Sequence, residues 1–144
     1  MRAPATADTA DLAGRLRPVL AEEPHVVFAY LFGSMARGRA RPSSDVDVAV
    51  MLDGEDSEAL ARIRAGLTTA VHPRRADVVA LREAPVALAY RVRRDGVLLL
   101  SRDERAREDH DARVIDRYLD MAPARRILAA GLRQRLAEGT YGRP

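Results

Sequence analysis

A near-continuous apolar run, VVFAYLF (Val26–Phe32), passes without a break into Gly33-Ser34, and ten residues further on Asp45-Val46-Asp47 opens a second apolar stretch. The first run is rich in β-branched and aromatic residues and follows Pro24, so it reads as a buried strand. The second, DVDVAVML from Asp45 to Leu52, alternates strictly at its start. Successive strand residues point to opposite faces. Asp45 and Asp47 therefore project to one side, within reach of a shared cation, while Val46, Val48 and Val50 take the other and pack inward.

A third carboxylate, Asp77, opens another strand-like segment, ADVVAL (Ala76–Leu81). If that strand neighbours the second, three acids meet at one sheet edge. Carboxylates held together raise one another's pKa unless a positive charge neutralises them. Oxygen-only ligands in this arrangement suit Mg²⁺, which keeps several waters and completes its shell with substrate phosphate oxygens. Upstream, Gly33 lets a phosphate approach the backbone, and Ser34 offers a hydroxyl and an N–H. Arg37, Arg39 and Arg41 follow in a loop punctuated by Gly, Pro and Ser, where any of them can face phosphate oxygens. These positions describe a site for a nucleoside triphosphate and Mg²⁺.

The rest of the chain is read around that centre. Helical periodicity is expected from near Asp8 to Glu23, with Pro18 kinking or ending it, and from Glu55 to Val71, Pro85 to Arg94, Arg102 to Leu119 and Pro123 to Ala137. A short strand is expected over Val97–Leu100, and the Ala/Thr-rich first ten residues are expected to fray. Strands and helices alternate over the first hundred residues and a helical end follows, which predicts an α/β fold with a small mixed sheet flanked by helices. The 144 residues suit one domain, with a core of about 8–101 and a helical extension of about 102–138. That extension is expected either to cover the sheet or to form a subunit interface, so a homo-oligomer stays open.

Composition narrows the classes. The chain has no cysteine, hence no disulfide framework, thiolate zinc site or Cys nucleophile. Its apolar runs are strand-sized rather than membrane-sized, and its first residues lack the pattern of a secretory signal, so a cytoplasmic protein without membrane contact is expected. All 24 basic residues are Arg, set against 21 acids for a net charge of +3. They are mixed with acids along the chain, so nucleic acid is not expected as the main partner. His25, His72 and His110 share no metal-ligand spacing, and Tyr30, Tyr90, Tyr118 and Tyr141 are expected to serve packing or surface. Arg105 and His110 happen to stand five apart in an Arg-rich chain, and no role is read into that.

The Gly33-Ser34, ten residues, Asp45-Val46-Asp47 pattern matches the Gly-Ser-x10-Asp-x-Asp signature of the polymerase-beta-like nucleotidyltransferases. The surrounding FGSMARGRARPSSDVDVAVML resembles the minimal nucleotidyltransferases, including the antitoxins of HEPT/MNT toxin-antitoxin pairs, from about Leu16 through Leu100. The resemblance implies that fold. It implies further that Gly33 and Ser34 hold the triphosphate, with Arg37 as an added phosphate contact, and that Asp45, Asp47 and Asp77 bind Mg²⁺, Asp77 serving also as candidate base. The implied activity is AMP transfer from ATP to a tyrosine of a HEPT-type toxin, which silences its RNase activity. Two other readings stand beside it: transfer to a small-molecule hydroxyl, as in antibiotic nucleotidyltransferases, and a non-catalytic antitoxin that acts by occlusion.

Overall fold

A computed structural model describes residues 7–41 and 43–137 of the chain. The elements are α1 (Ala7–Glu22), β1 (Val26–Phe32), α2 (Gly33–Ala36), β2 (Val46–Leu52), α3 (Ser57–Val71), β3 (Ala76–Ala80), a 3-10 turn (Leu81–Glu83), α4 (Val86–Asp95), β4 (Val97–Ser101), α5 (Glu104–Asp120) and α6 (Ala122–Ala137). The strands form one mixed sheet in the order β3-β2-β1-β4. β1 runs antiparallel to β2 and β4, and β2 runs parallel to β3.

Alternation along the strands divides the core into two layers. Val46, Val48 and Val50 of β2, with Ala29 and Leu31 of β1, meet Leu12, Leu16 and Leu20 of α1 and Ile63 and Leu67 of α3. Ala49 and Met51, with Phe28 and Tyr30, meet α4 and α5 through Ala89, Val92 and Val114. Burying such a residue contributes about 1.5–3 kcal/mol, so α1, α3, α4 and α5 are held by their apolar stripes more than by their own propensity. Asp56 and Asp103 cap α3 and α5, accepting from the N–H groups of Ala59 and Ala106 at 3.0 Å.

Five expectations change in detail. Pro18 lies inside α1 without ending it, because Leu16 and Leu20 on either side are fully buried and outweigh the one hydrogen bond a proline removes. The residues after β1 form a helical turn, α2, rather than open loop, and Asp45 precedes β2 rather than beginning it. Within the segment expected to fray, Ala7–Ala10 are helical and Thr9 is buried. The helical extension splits its tasks: α5 covers the sheet, whereas α6 does not, and Ile127, Leu128 and Leu136 stand 72%, 69% and 56% exposed. Residues 1–6 and the tail from 138, with Tyr141, lie outside the described residues.

A buried polar network locks α5 to the sheet. The Tyr30 hydroxyl donates to Oδ2 of Asp111 at 2.9 Å and accepts from Arg107 at 3.1 Å, and Arg107 also pairs with Glu104. Burial, ahead of the neighbouring charges, pushes the Tyr30 hydroxyl above the usual phenol range. No helix among the described residues is long and apolar enough to cross a membrane.

Candidate active site

Gly33 stands where β1 turns into α2, with a φ of +75° that L side chains rarely adopt. Its Cα faces the carboxylate of Asp47. A Cβ built there would collide with Asp47 Oδ2 and lie 3.3 Å from its Cγ. The sheet register accounts for this closeness, because Phe32 pairs with Asp47 across β1 and β2, and Asp47 pairs with Asp77 across β2 and β3. Three strands thereby bring the Gly-Ser turn, the second acid of the Asp-Val-Asp pair and the third acid into one row.

Asp47 sits half-buried at the centre of that row, and Asp45 and Asp77 are exposed on its flanks. Its carboxyl is pushed above the usual range, first by burial, then by the negative charges of Asp77 and Asp45, with Arg37 opposing. The two flanking acids therefore act on Asp47 electrostatically. Among the described residues no three such groups close into a ready-made cation cage. The donor set is all oxygen and mutually repelling, and the missing side chain at Gly33 leaves backbone open beside Asp47. Those properties fit Mg²⁺, which takes only one or two carboxylates and fills its remaining positions with water and phosphate.

The turn itself is tightly built. Arg37 N–H donates to Gly33 O at 3.2 Å, Arg39 N–H to Ser34 O at 3.0 Å, and Gly38 supplies a second positive φ of 68°. The first N–H groups of a helical turn have no partner within it, so the backbone of Ser34 and Met35 offers donors at the mouth of the site. Arg37 is exposed, and its charge reaches both Asp47 and Asp95. Arg39 is exposed, while Arg41 serves the loop through its backbone, accepting from Ser44 N–H at 2.9 Å and donating to Ser44 Oγ at 2.8 Å.

Two supporting residues escape sequence reasoning. Thr9, buried on α1, donates its hydroxyl to Met35 O at 2.8 Å and so anchors α2. Arg74, between α3 and β3, donates from one nitrogen to Arg41 O and Ser44 O, each at 2.9 Å, and clamps the loop just ahead of Asp45. Val46 N–H donates to Arg75 O at 2.8 Å and closes the same corner. No spacing rule marks either residue, since each acts on backbone carbonyls more than 25 positions away.

Residues 15–105 match the protein-family model described as "Polymerase beta, Nucleotidyltransferase". Among solved structures, a toxin-antitoxin crystallised with AMP-PNP has a chain 24% identical, with a TM-score of 0.72, covering 83% of this chain and 97% of its own. A complex of tri-AMPylated Shewanella oneidensis HEPN toxin with its MNT antitoxin has one at 22% identity and a TM-score of 0.68, covering 86% and 98%. An MntA-HepT toxin-antitoxin pair gives 22% identity and a TM-score of 0.66, covering 85% and 97%. These likenesses are of fold. No curated protein matches the chain.

Proposed function

Because the chain belongs to the polymerase-beta nucleotidyltransferase family, we propose that it transfers AMP from Mg-ATP to a tyrosine of a HEPT-type toxin and acts as that toxin's antitoxin. The observation that carries the transfer chemistry is the row of Gly33, Asp47 and Asp77 across three paired strands. The toxin as acceptor rests on the neighbouring folds, one of which comes from a complex with a tri-AMPylated toxin. A single domain working in the cytoplasm is the setting of this proposal.

In this reading Asp45 and Asp47 hold Mg²⁺, with Asp77 completing the acidic edge. Bound there, Mg²⁺ would offset the charge of the triphosphate and make the α-phosphorus more electrophilic. The open backbone at Gly33 and the N–H groups of Ser34 and Met35 receive the β and γ phosphates, and Arg37 adds a cation at their rim. Asp77 accepts the proton of the acceptor hydroxyl. The hydroxyl oxygen of the acceptor bonds to the α-phosphorus while the bond from that phosphorus to the oxygen bridging to the β-phosphorus breaks, and diphosphate leaves.

Intact-mass spectrometry of a HEPT-type toxin after incubation with the chain, ATP and Mg²⁺ tests the proposal. Whole AMP increments on the toxin that vanish with Asp45→Asn/Asp47→Asn are expected. Neutralisation of the toxin without any mass gain, undiminished in that variant, would replace transfer with occlusion.

A further inference from the structure

On the face of the sheet that carries Asp47, but at the other end of β2, lies a cavity of about 260 Å³. Met51 in its floor is four positions along the strand from Asp47, which at about 3.3 Å per residue separates the two by about 13 Å. Arg82, from the 3-10 turn, and His110, Arg113 and Arg117, from α5, line it, and no carboxylate does. In a chain with 21 acids, a cavity lined by three Arg and by no Asp or Glu departs from the mixed charge along the sequence.

These four side chains differ in how they are engaged. Arg82 donates to Leu52 O at 3.0 Å, and Nδ1 of His110 meets Asp111 Oδ1 at 3.2 Å. Both are thus held in place. Arg113 and Arg117, among the described residues, have no hydrogen-bond or ion-pair partner for their guanidinium groups. They stand one helical turn apart on α5, so their guanidiniums rise from the same face. Like charges gathered around one concavity gain from an anion between them, and three planar donor forks exceed what the two oxygens of one carboxylate can accept. A phosphate group, with three or more oxygens and up to two negative charges, matches them better. Beneath the cations, Met51 and Val114 give an apolar floor on which a small organic remainder can lie. The α5 residues fall outside the stretch matching the family, residues 15–105, so the cavity is not assembled from the matched segment alone.

We propose that this cavity binds a small phosphate-bearing anion, at a site separate from the Asp45/Asp47/Asp77 edge. It stands independently of the nucleotidyl-transfer reading.

The test is an NMR titration of the full chain with inorganic phosphate and, separately, with AMP, in EDTA so that the acidic edge holds no cation. Saturable shifts at His110, Arg113 and Arg117, with Gly33 and Asp47 unmoved, are expected. Arg113→Ala/Arg117→Ala should weaken phosphate binding at least about tenfold, equivalent to about 1.4 kcal/mol. Both side chains are exposed, so the variant should keep its circular dichroism spectrum, and Arg113→Lys/Arg117→Lys should bind with intermediate affinity. AMP binding more tightly than phosphate would assign the floor to the organic part, and equal affinities would assign the site to phosphate alone. Shifts that stay linear through millimolar phosphate, or an affinity unchanged in the Ala variant, overturn the proposal.

Discussion

Gly33 and Asp47 are in contact across the β1–β2 boundary, and the contact leaves no room for a side chain at position 33. The backbone there is in the left-handed region, and a Cβ would meet the Asp47 carboxylate. Gly33→Ala should therefore displace Asp47 as well as strain the turn, by about 1–3 kcal/mol. Transfer should fall by about 100-fold, as a misplacement near 1 Å can cause, with the fold kept. AMP incorporation assayed beside a thermal melt checks this, and a variant of full activity would deny the close packing any role.

The pH dependence of metal-free stability follows from Asp47. Its folded pKa lies above the ordinary 3.8, so the native state binds this proton more tightly than the unfolded chain. The group's contribution to stability is greatest below that value and is lost as pH rises through the folded pKa. Asp47→Asn removes the loss. Urea melts in EDTA from about pH 4 to about pH 7 should show the variant gaining on the parent as pH rises, and added Mg²⁺ should stabilise the parent alone.

Arg74 positions the approach to Asp45 without lying in the row of acids. Arg74→Ala frees two loop carbonyls, and the expected signature is a fall in kcat larger than any rise in KM for ATP, with partial recovery in Arg74→Lys. An equal loss in both variants, accompanied by a lowered Tm, would reduce the role to folding.

Thr9 offers a parallel case from the other side. Thr9→Val leaves Met35 O without its buried donor, which costs about 1–3 kcal/mol, and should raise KM for ATP because in the proposed site the N–H groups of α2 receive the phosphates. Steady-state kinetics at several ATP concentrations separates that effect from a loss of folded protein.

Tyr30→Phe provides the contrast. The hydroxyl joins Asp111 to Arg107 beneath α5, so its loss should destabilise the chain by about 1–3 kcal/mol. Activity per folded molecule should not change, because the network belongs to the sheet's attachment to α5 and not to the acidic edge.

Residue order alone marks the local elements and the motif at their ends. Apolar runs bounded by Pro and Gly set β1 and β2, alternation sent Val46, Val48 and Val50 inward and Asp47 to the opposite face, and helical spacing marked α1 and α3. Gly33, Ser34, Asp45 and Asp47 stand out as candidate site residues because their separation is short enough for a motif to encode. What needed tertiary structure is whatever joins distant segments. The neighbouring of β2 and β3, which puts Asp77 beside Asp47, is a choice among sheet orders that periodicity does not make. The anchoring of α2 by Thr9, the clamp of Arg74 and the gathering of Arg82, Arg113 and Arg117 likewise depend on where whole elements pack. Such contacts arise from burying apolar faces, a force without direction along the chain, and a side chain's partner across the sheet leaves no trace in its own surroundings in sequence.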